Sequence, residues 1–220
     1  MRPLAVKPDL IMQTHDAIRA AIMSGELAPG APLAQEELAE SLGVSRQPIS
    51  HALILLKREG LVVERGRKGQ MVAPINADRL LALYQVRSAL DRLAASLAAQ
   101  SSIPSAERRA CLDRLIEDGM AAVAVGNIER LVEADVAFHL ALYEMSGNPE
   151  IAAAADNAWP HMVRAMRIVL EEAAPRPTIW SEHREIADAI VAGDAAKAGD
   201  VAALHAENAG ETTCRRLKAQ

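Results

Sequence analysis

The sequence is poor in aromatic residues. Among 220 positions only Tyr84, Phe138, Tyr143, Trp159 and Trp180 are aromatic. Alanine and leucine supply most of the apolar half of the chain. Strands draw on β-branched and aromatic side chains, so this balance argues against a largely β protein and favours helix. Cysteine is also scarce. Cys111 and Cys214 form no motif and read as reduced thiols of a cytosolic protein. No apolar run approaches the ~18–20 residues of a membrane span, and no basic-then-apolar signal opens the chain. A cytoplasmic protein that binds no membrane is therefore expected. A basic excess is lacking as well: the net charge is −5, which excludes a generic polyanion binder.

The distribution of charge says more than its sum. Residues 1–75 carry nine Lys/Arg against eight Asp/Glu, and residues 76–220 carry fifteen against twenty-one. From Arg46 to Lys68 there are six basic and two acidic residues. A local basic stretch on an acidic protein suits a phosphate backbone.

The first 75 residues read as a winged helix-turn-helix. Ile11, His15, Ile18 and Ile22 recur at helical spacing, which predicts a helix from about Asp9 to Met23. Gly25 and Pro29-Gly30 break it. A short helix from about Gln35 to Leu42 follows, with Leu38 and Leu42 as expected inward anchors, and Gly43 ends it. Ser45 is the expected cap of a third helix, and Pro48 falls in its first turn. Ile49, Leu53 and Leu56 form its buried stripe, with Ala52 beside them. Two helices joined by Gly43-Val44-Ser45 are a helix-turn-helix signature. After Gly60, strands are expected at Leu61–Glu64 and Gln70–Pro74, around a basic tip of Gly66, Arg67, Lys68 and Gly69. That tip is a wing.

The polar face of the third helix begins with Arg46, Gln47 and Ser50, and His51 follows. Such side chains read base edges: arginine pairs with guanine, glutamine with adenine, serine with either. Recognition helices contact bases mainly through their N-terminal residues. The DNA-binding set is thus Ser45, Arg46, Gln47, Ser50, His51, Arg67, Lys68 and Gly69. The bland alternative is a solvated face on a small helical domain.

Three runs carry a resemblance to the GntR family of bacterial regulators: Ile22 to Leu33, Leu38 to Ile49, and Ala52-Leu53 to Glu59-Gly60-Leu61. Together they cover nearly all of residues 9–75. The resemblance implies a homodimer on a short palindromic double-stranded operator, usually in repression. It places Arg46 at the main base-reading arginine and Gly69 at the wing glycine. One departure stands out. The family commonly has Arg-Glu after the Pro-Ile pair, and this chain has Ser50-His51, so the usual family operator is not assumed.

Residues 76–220 contain only helical patterns. Helices are expected near 77–100, 104–125, 127–146, 149–172, 178–192 and 194–217, with Gly, Pro and Ser breaks between them. The expected fold class is mainly α: a winged helix-turn-helix followed by an all-α, six-helix antiparallel bundle with a central space. Three apolar stripes in it are interrupted by histidine. Asp135 and His139, four residues apart, share a face with Val132 and Leu142. His183 sits in the stripe of Ile179, Ile186 and Ile190, and His205 lies between Val201 and Asn208. Imidazole with carboxylate is a ligand set for a first-row metal, and bundles build such sites from facing helices. A hydrogen-bonded Asp–His network without metal is the other reading.

This half resembles the FCD domain, the effector-binding part of FadR-type GntR regulators. The matching residues are Val86-Arg87 to Leu90-Asp91, Asp135 to Phe138-His139, Ser146 to Pro149, Glu182-His183 to Ala189-Ile190, Gly193-Asp194 and His205. The resemblance implies one divalent ion per subunit on Asp135, His139, His183 and His205, often zinc, with nickel or manganese also in range. It implies a small organic acid beside the metal: a sugar acid, hydroxy acid or dicarboxylate. Arg87 sits where such domains place an inward arginine, although a pair with Asp91 is equally open to it. Arg164, Trp180 and Asn208 complete the expected effector set. Arg167 is a weaker candidate, and His15, His51 and His161 fall outside the metal set.

The expected mechanism is a ligand-biased switch. Acid binding at the metal repacks the bundle, whose first helix follows the wing almost without linker, and DNA is released. Two alternatives stand beside it. One is a metal-dependent, hydrolase-like bundle, for which no nucleophile motif is present. The other is a regulator whose metal is purely structural.

Overall fold

The computed structural model describes residues 10–66, 69–172 and 178–219. The chain divides into two compact units, Met1–Ile75 and Asn76–Gln220.

The first unit runs α1 (Leu10–Ser24), β1 (Pro32–Leu33), α2 (Gln35–Leu42), α3 (Arg46–Arg58), β2 (Val62–Glu64) and β3 (Gln70–Val72). The strands form one antiparallel sheet in the order β1-β3-β2, with Val62 opposite Val72 and Leu33 opposite Gln70. β1 was not expected: two residues are too short to show alternation. The core joins Ile18 and Ile22 of α1 to Ile49, Ala52, Leu53 and Leu56 of α3 and to Leu61 and Val72. The stripe expected on α3 is observed; on α1 His15, Ile18 and Ile22 are buried as expected, but Ile11 is half-buried and Thr14 is buried in its place. On α2 the expectation fails in part: Leu38 packs only partly against the core, Leu42 is exposed, and Ala39 is the buried residue. The left-handed Gly43 (φ 63°) ends α2 and turns the chain into α3. Ser45 occupies the N-cap of α3 with extended backbone, yet its hydroxyl caps no backbone N–H.

The second unit runs α4 (Ala77–Gln100), α5 (Ser105–Ala124), α6 (Ile128–Met145), α7 (Pro149–Ala155), α8 (Trp159–Glu172), α9 (Ile179–Ala192) and α10 (Ala195–Lys218). The expected breaks carry caps. The side chains of Asn76, Asn127, Asn148 and Asp194 accept from Arg79, Arg130, Glu150 and Lys197 backbone N–H groups. The helix expected over 149–172 is in two pieces. Pro160 lies in the first turn of α8, where it cannot continue a preceding helix, and Asp156-Asn157 before it are weak helix formers.

α4 and α10 run antiparallel in close contact. Ser88 Oγ donates to the Ala203 carbonyl at 3.3 Å and to Glu207 at 2.9 Å, and Cys214 Sγ lies 3.3 Å from the Ala77 carbonyl. Gly210 permits this approach: a methyl there would meet Tyr84 Cβ at 2.6 Å. α6 and α9 then present their histidine faces to the space beside this pair.

Candidate metal centre and nucleic-acid interface

Three helices bring four expected ligands to one point. Asp135 and His139 come from α6, His183 from α9 and His205 from α10. All four are buried, and one ligand atom from each lies within 4.8 Å of the others. His183 Nε2 is 3.3 Å from His139 Nε2 and 3.5 Å from Asp135 Oδ1. Atoms bound about 2.1 Å from a common ion sit roughly 3.0–3.5 Å apart, so this spacing suits a shared cation. The donor set therefore fits a divalent first-row metal.

Two of the imidazoles are held from behind by carboxylates. His205 Nδ1 hydrogen-bonds Glu182 Oε2 at 2.9 Å, and His139 Nδ1 lies 3.2 Å from Asp91 Oδ2, an ion-pair contact without a hydrogen bond. A carboxylate at Nδ1 keeps the proton there and presents Nε2 as the lone-pair donor. Burial, then the nearby Arg87, push the His139 imidazolium below its ordinary range, so the ring is neutral and able to coordinate. Asp91 is itself buried, which alone would raise its carboxyl. The Arg87 guanidinium, His139 and the Tyr143 hydroxyl hold it well below the usual carboxylate range. Tyr143 donates to Asp91 Oδ1 at 2.6 Å.

Arg87 is almost fully buried. Its Nε donates to Asp91 at 3.1 Å, while Nη2 has no hydrogen-bond partner. Its guanidinium carbon lies 4.6 Å from the Trp159 ring centroid. Burial opposes its charge, but Asp91 and Asp135 outweigh that and raise its pKa. A cavity of about 50 Å³ adjoins the cluster, bordered by Arg87, Asp135, His205, Tyr84, Thr212, Arg216 and an apolar wall.

The other expected effector residues are placed differently. Asn208 is half-buried and does not border this cavity. Arg164 is buried away from it; burial and the neighbouring Arg79 lower its pKa to about 10, still a cation at neutral pH. Trp180 packs on His183 with ring centroids 4.6 Å apart and covers Gly119 of α5, where any methyl would overlap its indole. It fills core beside the cluster. Arg167 pairs with Glu129 at 3.1 Å. His161 is buried and faces Arg79 at 3.1 Å, outside the cluster.

Sequence reasoning did not assign roles to Asp91, Tyr143 and Glu182 at this site. Asp91 four residues after Arg87, and Glu182 beside His183, were visible. Nothing in spacing says which histidine each would face.

In the first unit, Arg46, Gln47 and His51 are exposed at the start of α3, Ser45 precedes them, and Ser50 is half-exposed. Arg46 and Ser50 line an open groove with Ile54, Glu36, Glu64, Gly69 and Gln70. Arg46 pairs with Glu36 of α2. Gly69 has a left-handed φ of 93°. Arg67 and Lys68 lie outside the described residues. Ile54 and Gln70 were not expected on this face; an exposed isoleucine one turn beyond Ser50 was the available signal.

Comparisons with known proteins agree with this architecture. The family model "Bacterial regulatory proteins, gntR family" matches residues 10–72, and the FCD domain model matches residues 82–208. The chain is 33% identical over 177 residues to an HTH-type transcriptional regulator from an unstable DNA locus of Streptomyces ambofaciens, covering 80% of this chain and 73% of that one. It is 31% identical over 212 residues to the HTH-type transcriptional regulator LutR of Bacillus subtilis, covering 85% and 93%. The solved structure of E. coli McbR/YncC superposes with a TM-score of 0.79 at 22% identity, covering 97% of this chain and all of that one, and so shares the fold. With a winged helix-turn-helix ahead of a helical, histidine-lined bundle, this chain belongs to the GntR family of bacterial transcriptional regulators, in the branch that carries an FCD domain.

Proposed function

We propose that this regulator is a homodimeric repressor whose operator affinity is set by a small organic acid bound beside a divalent metal. Residues 1–75 bind DNA, and residues 76–220 bind metal and effector and dimerise. One observation carries this reading: a cluster of four buried ligands, two of them with a carboxylate behind, borders through Asp135 and His205 a cavity that is also lined by Arg87, a buried arginine with an unpaired Nη2. Asp135, His139, His183 and His205 would hold the ion, zinc being the first candidate and nickel or manganese the others. The ion would supply a Lewis-acidic anchor for a carboxylate. Arg87 Nη2 would donate to that carboxylate, while Asp91 fixes the guanidinium and the His139 ring together.

On the DNA face, Arg46, Gln47, Ser50 and His51 would enter the major groove, with Ser45 and the wing residues Arg67, Lys68 and Gly69 at the flanking backbone. Glu36 holds the Arg46 guanidinium in the free protein and would release it to a guanine. Four residues join β3 to α4, from Ala73 to Asn76. A shift of α4 on acid binding would therefore pass to the DNA-binding unit through a short connection. The acid acts through its different affinities for the two states, and release of DNA is the expected sign.

The test is a thermal-shift screen of organic acids on the metal-loaded and chelated protein, paired with operator binding. A stabilising acid that needs metal and weakens operator binding supports the reading. Stabilisation by metal alone, with no acid active, would leave the metal a structural role and overturn it. Arg46→Ala is expected to abolish specific operator binding while the fold persists; unchanged affinity would remove α3 as the recognition helix.

A further inference from the structure

The lining of the cavity narrows the acid. We infer that the site selects a short diacid with a hydrocarbon middle, and that Arg216 is the anchor for its second carboxylate. This inference rests on the acid site proposed at Arg87 and the metal ligands.

The first anchor is Arg87, whose buried Nη2 has no acceptor. A carboxylate at the cavity's metal end supplies one. The wall beyond it is made by Leu131, Met166, Val169 and Ile179. Hydroxyl groups lying along that wall would leave water without finding partners. A buried polar group left unsatisfied loses roughly an order of magnitude in affinity. The wall therefore disfavours a polyhydroxylated acid and suits methylenes. The volume of about 50 Å³ limits them to a few.

The second anchor comes from the register of α4 against α10. Ser88, next to Arg87, bonds Glu207, whereas Cys214 lies against Ala77 at the start of α4. Arg216 thus sits nine to twelve residues beyond the level of Arg87, roughly 13–18 Å along the axis by helical rise. Both residues border the same cavity. Three basic residues occupy the last turn of α10, where any of them would favour the helix dipole. Arg215 and Lys218 are exposed, and Lys218 pairs with Asp78 at 2.7 Å. Arg216 alone of the three turns inward, half-buried, and no ion pair among the described residues engages it. The half-buried Thr212 hydroxyl, one turn earlier, borders the cavity beside it.

Calorimetry on the full-length, metal-loaded protein separates the classes with three acids of equal carbon count. These are hexanoate, adipate and galactarate, with succinate and glutarate to set the length. The best unsubstituted diacid is expected to bind at least tenfold tighter than hexanoate and than galactarate. Arg216→Gln is expected to erase the advantage over hexanoate while hexanoate binding and metal content stay unchanged. Thr212→Val, a near-isosteric change, is expected to reduce the same advantage by a smaller factor. Equal or tighter binding of hexanoate or galactarate, or a diacid preference that survives Arg216→Gln, overturns the inference and leaves the acid site itself standing. If no acid of any class binds the metal-loaded protein, the acid-site reading fails, and the inference with it.

Discussion

At the scale of single residues, the cluster depends on groups outside the four candidate ligands. Asp91 touches Arg87, His139 and Tyr143 at once, so one carboxylate contacts both a candidate metal ligand and an arginine that lines the cavity. Removing its charge should disturb both. Asp91→Asn or Glu182→Gln is expected to weaken metal binding by about 10- to 100-fold, as carboxylates behind metal-bound histidines do elsewhere. Competition with a fluorescent chelator measures this; wild-type affinity in both variants would remove the orienting role. His205→Ala should lower metal content and acid response together, read by elemental analysis and thermal shift. His15 carries a separate prediction. Its buried ring sits 2.5 Å from Glu59 and 2.9 Å from Asp16, with Arg19 also on Glu59. Burial opposes its charge, but the two carboxylates prevail and raise its pKa above the ordinary 6.5. Folding therefore favours the imidazolium. Its stabilisation is full below pH 6.5 and is lost as pH rises through the raised value. Melting of the wild type should show this fall as pH rises above 6.5, and His15→Gln should flatten it.

At the scale of elements, two close approaches position the site. α10 can bring His205 to the cluster because Gly210 lets it lie directly on Tyr84 of α4. α9 can bring His183 in because Gly119 of α5 leaves room for Trp180. Adding a methyl in either place overpacks a core junction, which costs about 1–3 kcal/mol. Gly210→Ala is therefore expected to lower the denaturation midpoint and to loosen metal binding, because His205 shifts with its helix. A variant of wild-type stability would show that α4 and α10 are not in close contact there. Arg108 supports the same frame by donating to the Ala98 and Ala99 carbonyls at 2.7 and 2.9 Å, which closes the C-terminal end of α4.

At the scale of the whole molecule, the proposed control is a linkage between DNA and acid. Whatever factor the acid takes from operator affinity, the operator must take from acid affinity. Titrating acid with and without operator checks this: equal factors are expected, and acid binding that ignores operator would sever the two units. The proposed dimer belongs to this scale as well. Val86 and Leu93 lie seven residues apart on α4 and are 57% and 45% exposed, an outward apolar stripe suited to a second copy. Light scattering is expected to give a dimer for the wild type and a monomer for Val86→Asp/Leu93→Asp. No described helix is long and apolar enough to cross a membrane.

Much of this protein was legible before any coordinates. Helical periodicity marked α1, α3, α4, α5, α6, α9 and α10, because an amphipathic helix writes its buried face into local spacing. Glycine, asparagine and proline marked the breaks, since caps and left-handed turns demand those residues locally. The histidines in apolar stripes pointed to four ligands because each stripe could be read within one helix. Other features needed the tertiary structure. Leu42 faces outward and Ala39 inward because α2 is too short for periodicity to orient it. β1 exists only through pairing with β3, a partner nearly forty residues away. Above all, the convergence of Asp135, His139, His183 and His205, and the carboxylates behind two of them, is a relation among four helices. Local spacing determines which side of a helix a residue takes; packing alone decides what that side meets.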